Sequence, residues 1–200
     1  NLSLSGKNIP QMRELSAEIE SFFGFRLNPI GGLVDSRNFL GFLSKKIMLC
    51  TQYVRHHSRP TFTPEPDLIH EFVGHAPMFT NPEIVEFSEL IGNAAMEASP
   101  EQLQKLERLY WFTLEYGLIE EKGKVKAFGA GLLAGIEDSN NAFKSGADLR
   151  DFDIQKVLNE QYDFSSLQNF YYVIPSFEFL KKETSNLLES FSIDKIQGLD

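Results

Sequence analysis

Residues Asp67-Leu-Ile-His-Glu-Phe-Val-Gly-His75 put two histidines and an acid inside an otherwise apolar run. Imidazole nitrogens and carboxylate oxygens are ligands for divalent transition metals. The common zinc-peptidase motif, H-E-x-x-H, sets two histidines at i and i+4 on one helix face. Here His70 and His75 stand at i and i+5, with Glu71 between them. On a regular α-helix, five steps turn a side chain by roughly 140° from the first. The pair shares one metal only if the helix ends or distorts between them. Gly74 is the expected break, because glycine commonly stops a helix, and Pro77 is expected to keep it from resuming. The stretch therefore reads as a metal site at a helix terminus or as two unrelated histidines.

A two-histidine site needs a further protein ligand. Glu115 is the candidate, an acid within the apolar and aromatic run Leu109-Tyr-Trp-Phe-Thr-Leu-Glu-Tyr116. A lone charge in such surroundings costs several kcal/mol unless it is paired or bound to a cation, so an ion pair and a metal are both open readings. Two histidines and one carboxylate on one face of a metal, with the other positions free, form the donor set of non-haem Fe(II) oxygenases. A closed structural zinc site is usually cysteine-rich, and this chain has one cysteine, Cys50.

The elements that must position these groups are legible in part. The chain has 200 residues, 42% hydrophobic and 24% charged, which suits one soluble globular domain. The net charge of −9 excludes the basic face needed for nucleic acid and disfavours an anionic membrane. No stretch reaches 18 apolar residues, so no membrane span is expected. The start carries no basic segment leading into an apolar core, so no secretory signal is expected either. A cytoplasmic monomer that handles a small molecule is the expectation.

A helix is expected from Pro10 to about Phe23, with Leu15, Ile19, Phe22 and Phe23 on its buried face and Gly24 ending it. Residues 25–35 read as loop or short extended chain. Ser36 reads as the N-cap of a helix that carries Phe39, Leu40, Leu43, Ile47 and Leu49 toward Tyr53. Pro60, Pro64 and Pro66 make a stiff loop that leads into Asp67, a candidate N-cap for the helix carrying His70. His56 and His57, in that loop, read as solvent-facing or substrate-adjacent rather than as ligands. Asn81-Pro82-Glu83 and Ser99-Pro100-Glu101-Gln102 write two helix starts, the second a capping box. These helices are expected to run to about Met96 and about Tyr116, the latter stopped by Gly117. Residues 123–128 alternate like a short strand, 129–135 read as a small flexible segment, and a polar stretch reaches about Asp153. A short helix over 154–160, an aromatic run at Phe170–Val173 and a helix from Ser176 to about Phe191 complete the chain. The fold class is mainly α with a few short β-strands in a single domain over 9–191, preceded by a leader (1–8) and followed by a tail (192–200).

Five blocks now match one family. Thr63-Pro-Glu-Pro-Asp-Leu-Ile-His-Glu-Phe-Val-Gly-His-Ala-Pro77, Gly31-Gly-Leu-Val-Asp-Ser-Arg-Asn-Phe-Leu40, Cys50-Thr-Gln-Tyr-Val-Arg-His56, Tyr110-Trp-Phe-Thr-Leu-Glu115 and Gly129-Ala-Gly-Leu-Leu133 resemble the signatures of the pterin-dependent aromatic amino acid hydroxylases. The resemblance implies the family's catalytic domain, with Fe(II) held by His70, His75 and Glu115 and with tetrahydrobiopterin and O₂ as co-substrates. It implies that Phe39 stacks on the pterin, with Leu33, Val34 and Ser36 at its edge and Glu71 hydrogen-bonding near it. It further implies that Arg55 pairs with the substrate carboxylate, where a bidentate guanidinium suits the shape. Thr63 helps hold that end, Pro66 and Trp111 line the cavity, and Tyr110 sits close to the iron. Without the resemblance, Phe39 and Trp111 read as core and Arg55 as a surface charge.

The chain departs from the family at Ala134-Gly135, where Ser-Ser is usual, at Leu49, where a histidine is common, and at Phe128, where Tyr is frequent. The Tyr110-Trp111 pair is similar to the phenylalanine and tyrosine hydroxylases. Phe164 stands where tyrosine hydroxylases carry an acid, which favours L-phenylalanine as the substrate, converted to L-tyrosine, in the manner of bacterial phenylalanine 4-monooxygenases. Tyrosine or tryptophan hydroxylation, a non-catalytic homologue with altered pterin handling, and a hydrolytic zinc enzyme using Glu71 as base are the competing readings.

Overall fold

The structure is a computed structural model that describes residues 9–197 except 62 and 64, with side chains through residue 192. The expected leader (1–8), Pro64 and the last three residues of the expected tail lie outside it. Helix α1 (Met12–Phe23) buries Leu15, Ser16 and Ile19. Phe22 and Phe23 do not join that face; Phe22 is 73% exposed, because the helix ends there and the chain turns back at Gly24. Strand β1 (Arg26–Pro29) follows, and its Leu27 N–H donates to Ser16 Oγ at 3.0 Å.

Helix α2 (Ser36–Leu43) starts one residue after its cap, which is Asp35 and not Ser36; Asp35 Oδ1 accepts from Asn38 N–H at 3.0 Å. The helix also stops ten residues short of Tyr53. Lys46 takes a positive φ of 56°, and Ile47–Cys50 forms strand β2, paired in parallel with β1. A short apolar run is equally a buried strand or a buried helix by pattern, and pairing with β1 decided it.

Asp67 caps the next helical stretch as expected, its Oδ1 accepting from His70 N–H at 3.0 Å. That stretch is a π-segment over His70–His75, continued by the single turn of α3 (Ala76–Met78). Helix α4 (Pro82–Glu97) opens with Asn81 Oδ1 accepting from Glu83 N–H at 2.9 Å. Helix α5 (Pro100–Tyr110) has the expected capping box, with Ser99 N–H donating to Gln102 Oε1 at 3.0 Å and Gln102 N–H to Ser99 Oγ at 3.3 Å. It runs on as a second π-segment, Trp111–Glu115.

Strands β3 (Leu118–Glu121) and β4 (Lys124–Ala127) form a hairpin turned by Lys122 and Gly123, both at positive φ. The segment expected to be flexible is helix α6 (Ala130–Ala134), and the polar stretch after it contains α7 (Ile136–Phe143) and strand β5 (Asp148–Asp151). Helix α8 (Ile154–Asn159), strand β6 (Phe170–Ile174) and helix α9 (Phe177–Gln197) follow; α9 passes the expected end near Phe191. The second sheet has the order β4-β3-β6-β5, with β3 and β5 both parallel to β6. Among the described residues the strands number six, more than pattern reading finds, because most are four residues long. The class stands as mainly α with short strands. Aromatic rings fill much of the core: Phe25 stacks on Phe79 at 3.7 Å, and Phe112 meets Phe170 and Tyr172.

Candidate active site

The histidine pair is reconciled by widening the helix, not by ending it. In the first π-segment the Ala76 N–H bonds to Glu71 O, five residues back. This wider turn sets residue i+5 nearly over residue i, where an α-helix sets i+4. His70 Nε2 and His75 Nε2 come within 3.1 Å, with the rings edge to face. Gly74 is therefore not a stop, and Pro77 lies at the start of the turn that continues the helix. Gly74 serves a close approach instead: a Cβ there would sit 2.7 Å from the Ala130 carbonyl of α6. In the second π-segment Tyr116 N–H donates to Trp111 O at 2.9 Å. That turn presents Glu115 with Oε1 at 3.3 Å from His70 Nε2 and Oε2 at 3.4 Å from His75 Nε2. Gly131 lies against Glu115, a Cβ there being 3.0 Å from Oε1. This close approach, together with the Tyr116 ring at 2.9 Å, leaves no room for a side chain at Gly131.

All three side chains are buried. Burial pushes His70 down to about 4 and His75 to about 3, so both imidazoles are neutral, the form that binds a metal. Burial also raises Glu115. With both imidazoles neutral, the contacts within the triad are not ionic bridges, and a divalent ion would favour the carboxylate form of Glu115. Two neutral nitrogens and one carboxylate converging at one buried focus fit Fe(II) by donor type.

The triad opens into a cleft of about 710 Å³. Every residue given a metal, pterin or substrate role by the resemblance lines it: Leu33, Val34, Ser36 and Phe39; Arg55, Thr63 and Pro66; Glu71; Tyr110 and Trp111; and the triad itself. Tyr110 Oη is 3.5 Å from His75 Nε2, and Phe39 packs edge-on to the Tyr110 ring. Trp111 stacks on Tyr162, and its indole N–H donates to Gln168 Oε1 at 3.0 Å. Thr63 Oγ1 is 2.9 Å from Tyr53 Oη, and Pro66 O accepts from the Thr51 hydroxyl. His56 and His57 are exposed.

Arg55 is not a surface charge. Its Nε and Nη2 donate to Asp67 at 2.9 and 2.8 Å, and its backbone N–H adds a third bond at 2.7 Å. The Asp67 side chain is fully buried and the Arg55 side chain 6% exposed. Burial works against the Asp67 carboxylate, but the bonds from Arg55 outweigh it and hold its pKa below the ordinary value. Glu71 differs. Its Oε1 accepts from Thr51 N–H at 3.3 Å, while its Oε2 is buried with no partner. Burial lifts it to about 8.

Sequence reading had missed Thr51 and Gln168, and it saw Asp67 only as a cap. Their partners lie up to 57 residues away, and no local pattern marks them. Of the departures, Leu49 and Ala134 line the cleft without a polar group, and Phe128 packs edge-on to Phe177.

The family model of the biopterin-dependent aromatic amino acid hydroxylases matches residues 1–195. A phenylalanine-4-hydroxylase from Bos taurus is 41% identical over 90% of this chain and 40% of its own length. A tyrosine 3-monooxygenase from Schistosoma mansoni is 39% identical over 93% of this chain and 40% of its own. The chain thus spans about 40% of the length of these curated relatives. The phenylalanine hydroxylase of Chromobacterium violaceum, solved with iron(III) and 7,8-dihydrobiopterin, superimposes with a TM-score of 0.85 at 27% identity, covering 92% of this chain and 68% of that one.

Proposed function

The chain belongs to the biopterin-dependent aromatic amino acid hydroxylase family, and from that premise we propose that it hydroxylates the ring of a free aromatic amino acid, L-phenylalanine to L-tyrosine. The observation that carries the reading is the convergence of His70, His75 and Glu115 in the same cleft as a buried, pre-oriented Arg55. His70, His75 and Glu115 would hold Fe(II), which together with tetrahydrobiopterin supplies the activation of O₂ when bound.

The chain's own residues bind, orient and exclude water. Asp67 occupies Nε and one edge of the Arg55 guanidinium and so fixes its plane; Nη1, which gives one hydrogen to Pro60 O at 3.4 Å, keeps its second for a substrate carboxylate. Thr63 and Pro66 border that end, and Trp111, locked by Tyr162 and Gln168, gives a flat wall for the substrate ring. Phe39 offers a face for the pterin, with Leu33, Val34 and Ser36 at its rim. At neutral pH the raised Glu71 holds a proton on its carboxyl, so it can donate to a pterin acceptor. Tyr110 stays a neutral phenol, since burial and then Glu115 raise it well above its usual value.

Phenylalanine is favoured over tyrosine by Phe164, an apolar side chain at the rim of the cleft. Protein loaded anaerobically with Fe(II) should form tyrosine from phenylalanine only when both tetrahydrobiopterin and O₂ are added. Absence of product from all three aromatic amino acids would overturn the proposal; product from tyrosine or tryptophan alone would overturn the substrate.

A further inference from the structure

Among the described residues that line the cleft, Arg55 is the one arginine or lysine, and it stands beside several carboxylates. A zwitterionic amino acid needs a receptor for each of its charges. Most of the acids in or beside the cleft are engaged. Asp67 is taken by Arg55, Glu115 belongs to the triad, and Glu71 is buried with one oxygen on Thr51. Glu137 Oε1 accepts from the Thr61 hydroxyl at 2.7 Å. Glu65 is exposed, where water weakens any ion pair. Asp138 remains. It lies partly buried in the first turn of α7, and no other described side chain is bonded to its carboxylate.

Asp138 and Arg55 line the same cleft, and the segments that carry them are in contact. Arg55 Nη1 donates to Pro60 O at 3.4 Å, and the next residue, Thr61, is bonded to Glu137, the neighbour of Asp138. The loop that carries Arg55 is thus tied to the turn that carries Asp138, and both face the same cleft. Gly135 leaves the room for the acid: a Cβ there would sit 2.8 Å from Asp138 Oδ2.

We propose that Asp138 is a specificity-determining residue that receives the α-ammonium group of the amino acid substrate while Arg55 receives its carboxylate. This rests on the proposed amino acid hydroxylase reading and adds the basis on which free amino acids are told from other aromatic acids. A role confined to the dipole of α7 would alter stability without distinguishing ligands by their ammonium group.

The test is calorimetric binding to the Fe(II)-loaded protein under anaerobic conditions, without pterin, so that no turnover occurs. The ligands are L-phenylalanine and 3-phenylpropanoate, which lacks the ammonium. Wild-type protein should bind phenylalanine the more tightly. Asp138→Asn should weaken phenylalanine roughly ten- to a hundredfold, the value of one charge-assisted hydrogen bond. Its affinity for 3-phenylpropanoate should stay within about twofold, which also certifies that the variant is folded. Asp138→Ser should give the same split. Loss of both ligands alike in the two variants, or unchanged phenylalanine binding, overturns the assignment of Asp138 while leaving the hydroxylase reading intact. A wild-type protein that binds neither ligand brings down the hydroxylase reading, and this assignment with it.

Discussion

Two groups of buried charge face the same cleft and solve the same problem differently. Arg55 and Asp67 satisfy one another within the chain: three hydrogen bonds, opposite charges and almost no exposure. His70, His75 and Glu115 lie as close together, but no described arginine or lysine is bonded to them, and burial holds the histidines neutral and raises the acid. The first group is complete without a ligand. The second offers three donors that could hold a cation. Proximity of polar groups is common to both, and charge balance distinguishes a positioning pair from a binding site.

The most disruptive way to break the contrast is Asp67→Ala. It strands a buried guanidinium and should cost about 3–5 kcal/mol of folding stability in urea titration, because an unpaired buried charge is left behind. The helix cap on His70 N–H is lost with it. A cost below about 1 kcal/mol would mean that the pair behaves as an exposed one.

Glu115→Gln should act in the opposite sense. Anaerobic iron titration should show a loss of affinity greater than the roughly ten- to hundredfold drop seen when only an outer-shell partner is removed. The metal-free protein should keep its stability to within about 1 kcal/mol, since a neutral amide replaces a carboxyl that burial already disfavours. Iron bound as tightly as in the wild type would remove Glu115 from the ligand set.

The smallest effect, and the sharpest on the contrast, is on pH. In metal-free protein, His70 and His75 have folded values near 4 and 3, below the unfolded 6.5. The unfolded chain then binds more protons, so their contribution to stability is lost as pH falls from about 6.5 toward 4. Glu71 is raised from 4.5 to about 8. Its proton is kept by the folded state, so its contribution is lost as pH rises from about 4.5 to 8. Arg55 is raised and stays charged throughout this window, and the lowered Asp67 adds slope only at its acid end, as pH falls toward and below the ordinary 3.8. Glu71→Gln should flatten the decline toward pH 8 and leave the acid limb unchanged. An unaltered alkaline slope would show that Glu71 is ionised in the folded protein.

Much of the site was legible as residue types. An acid inside the run from Leu109 to Tyr116 had to meet something, and His70 and His75 are uncommon inside an apolar stretch. The helix starts at Asn81 and Ser99 were legible because a cap is a bond between residues two or three apart. The break expected at Gly74 was illegible as a π turn, since an inserted residue within a helix leaves the same glycine and proline in place as a helix that stops. Strand β2 and helix α6 were missed for a related reason. Ile47–Cys50 becomes a strand by pairing with β1, and Gly129, Ala130 and Gly131 are small because Glu115 and the first π-segment press against them.

Local chemistry, then, was determined by the chain of residues alone: the donor types for a metal, the caps at Asp67, Asn81 and Ser99, and a mainly α class. Each depends on neighbours within a few positions. The tertiary structure decided the rest: that His70 and His75 share one face, that Glu115 meets them from 40 residues on, that Asp67 holds Arg55 and that Asp138 lines the same cleft with no other described side chain bonded to its carboxylate. Those outcomes are set by which elements pack together and how closely, and packing joins residues whose spacing along the chain carries no trace of it.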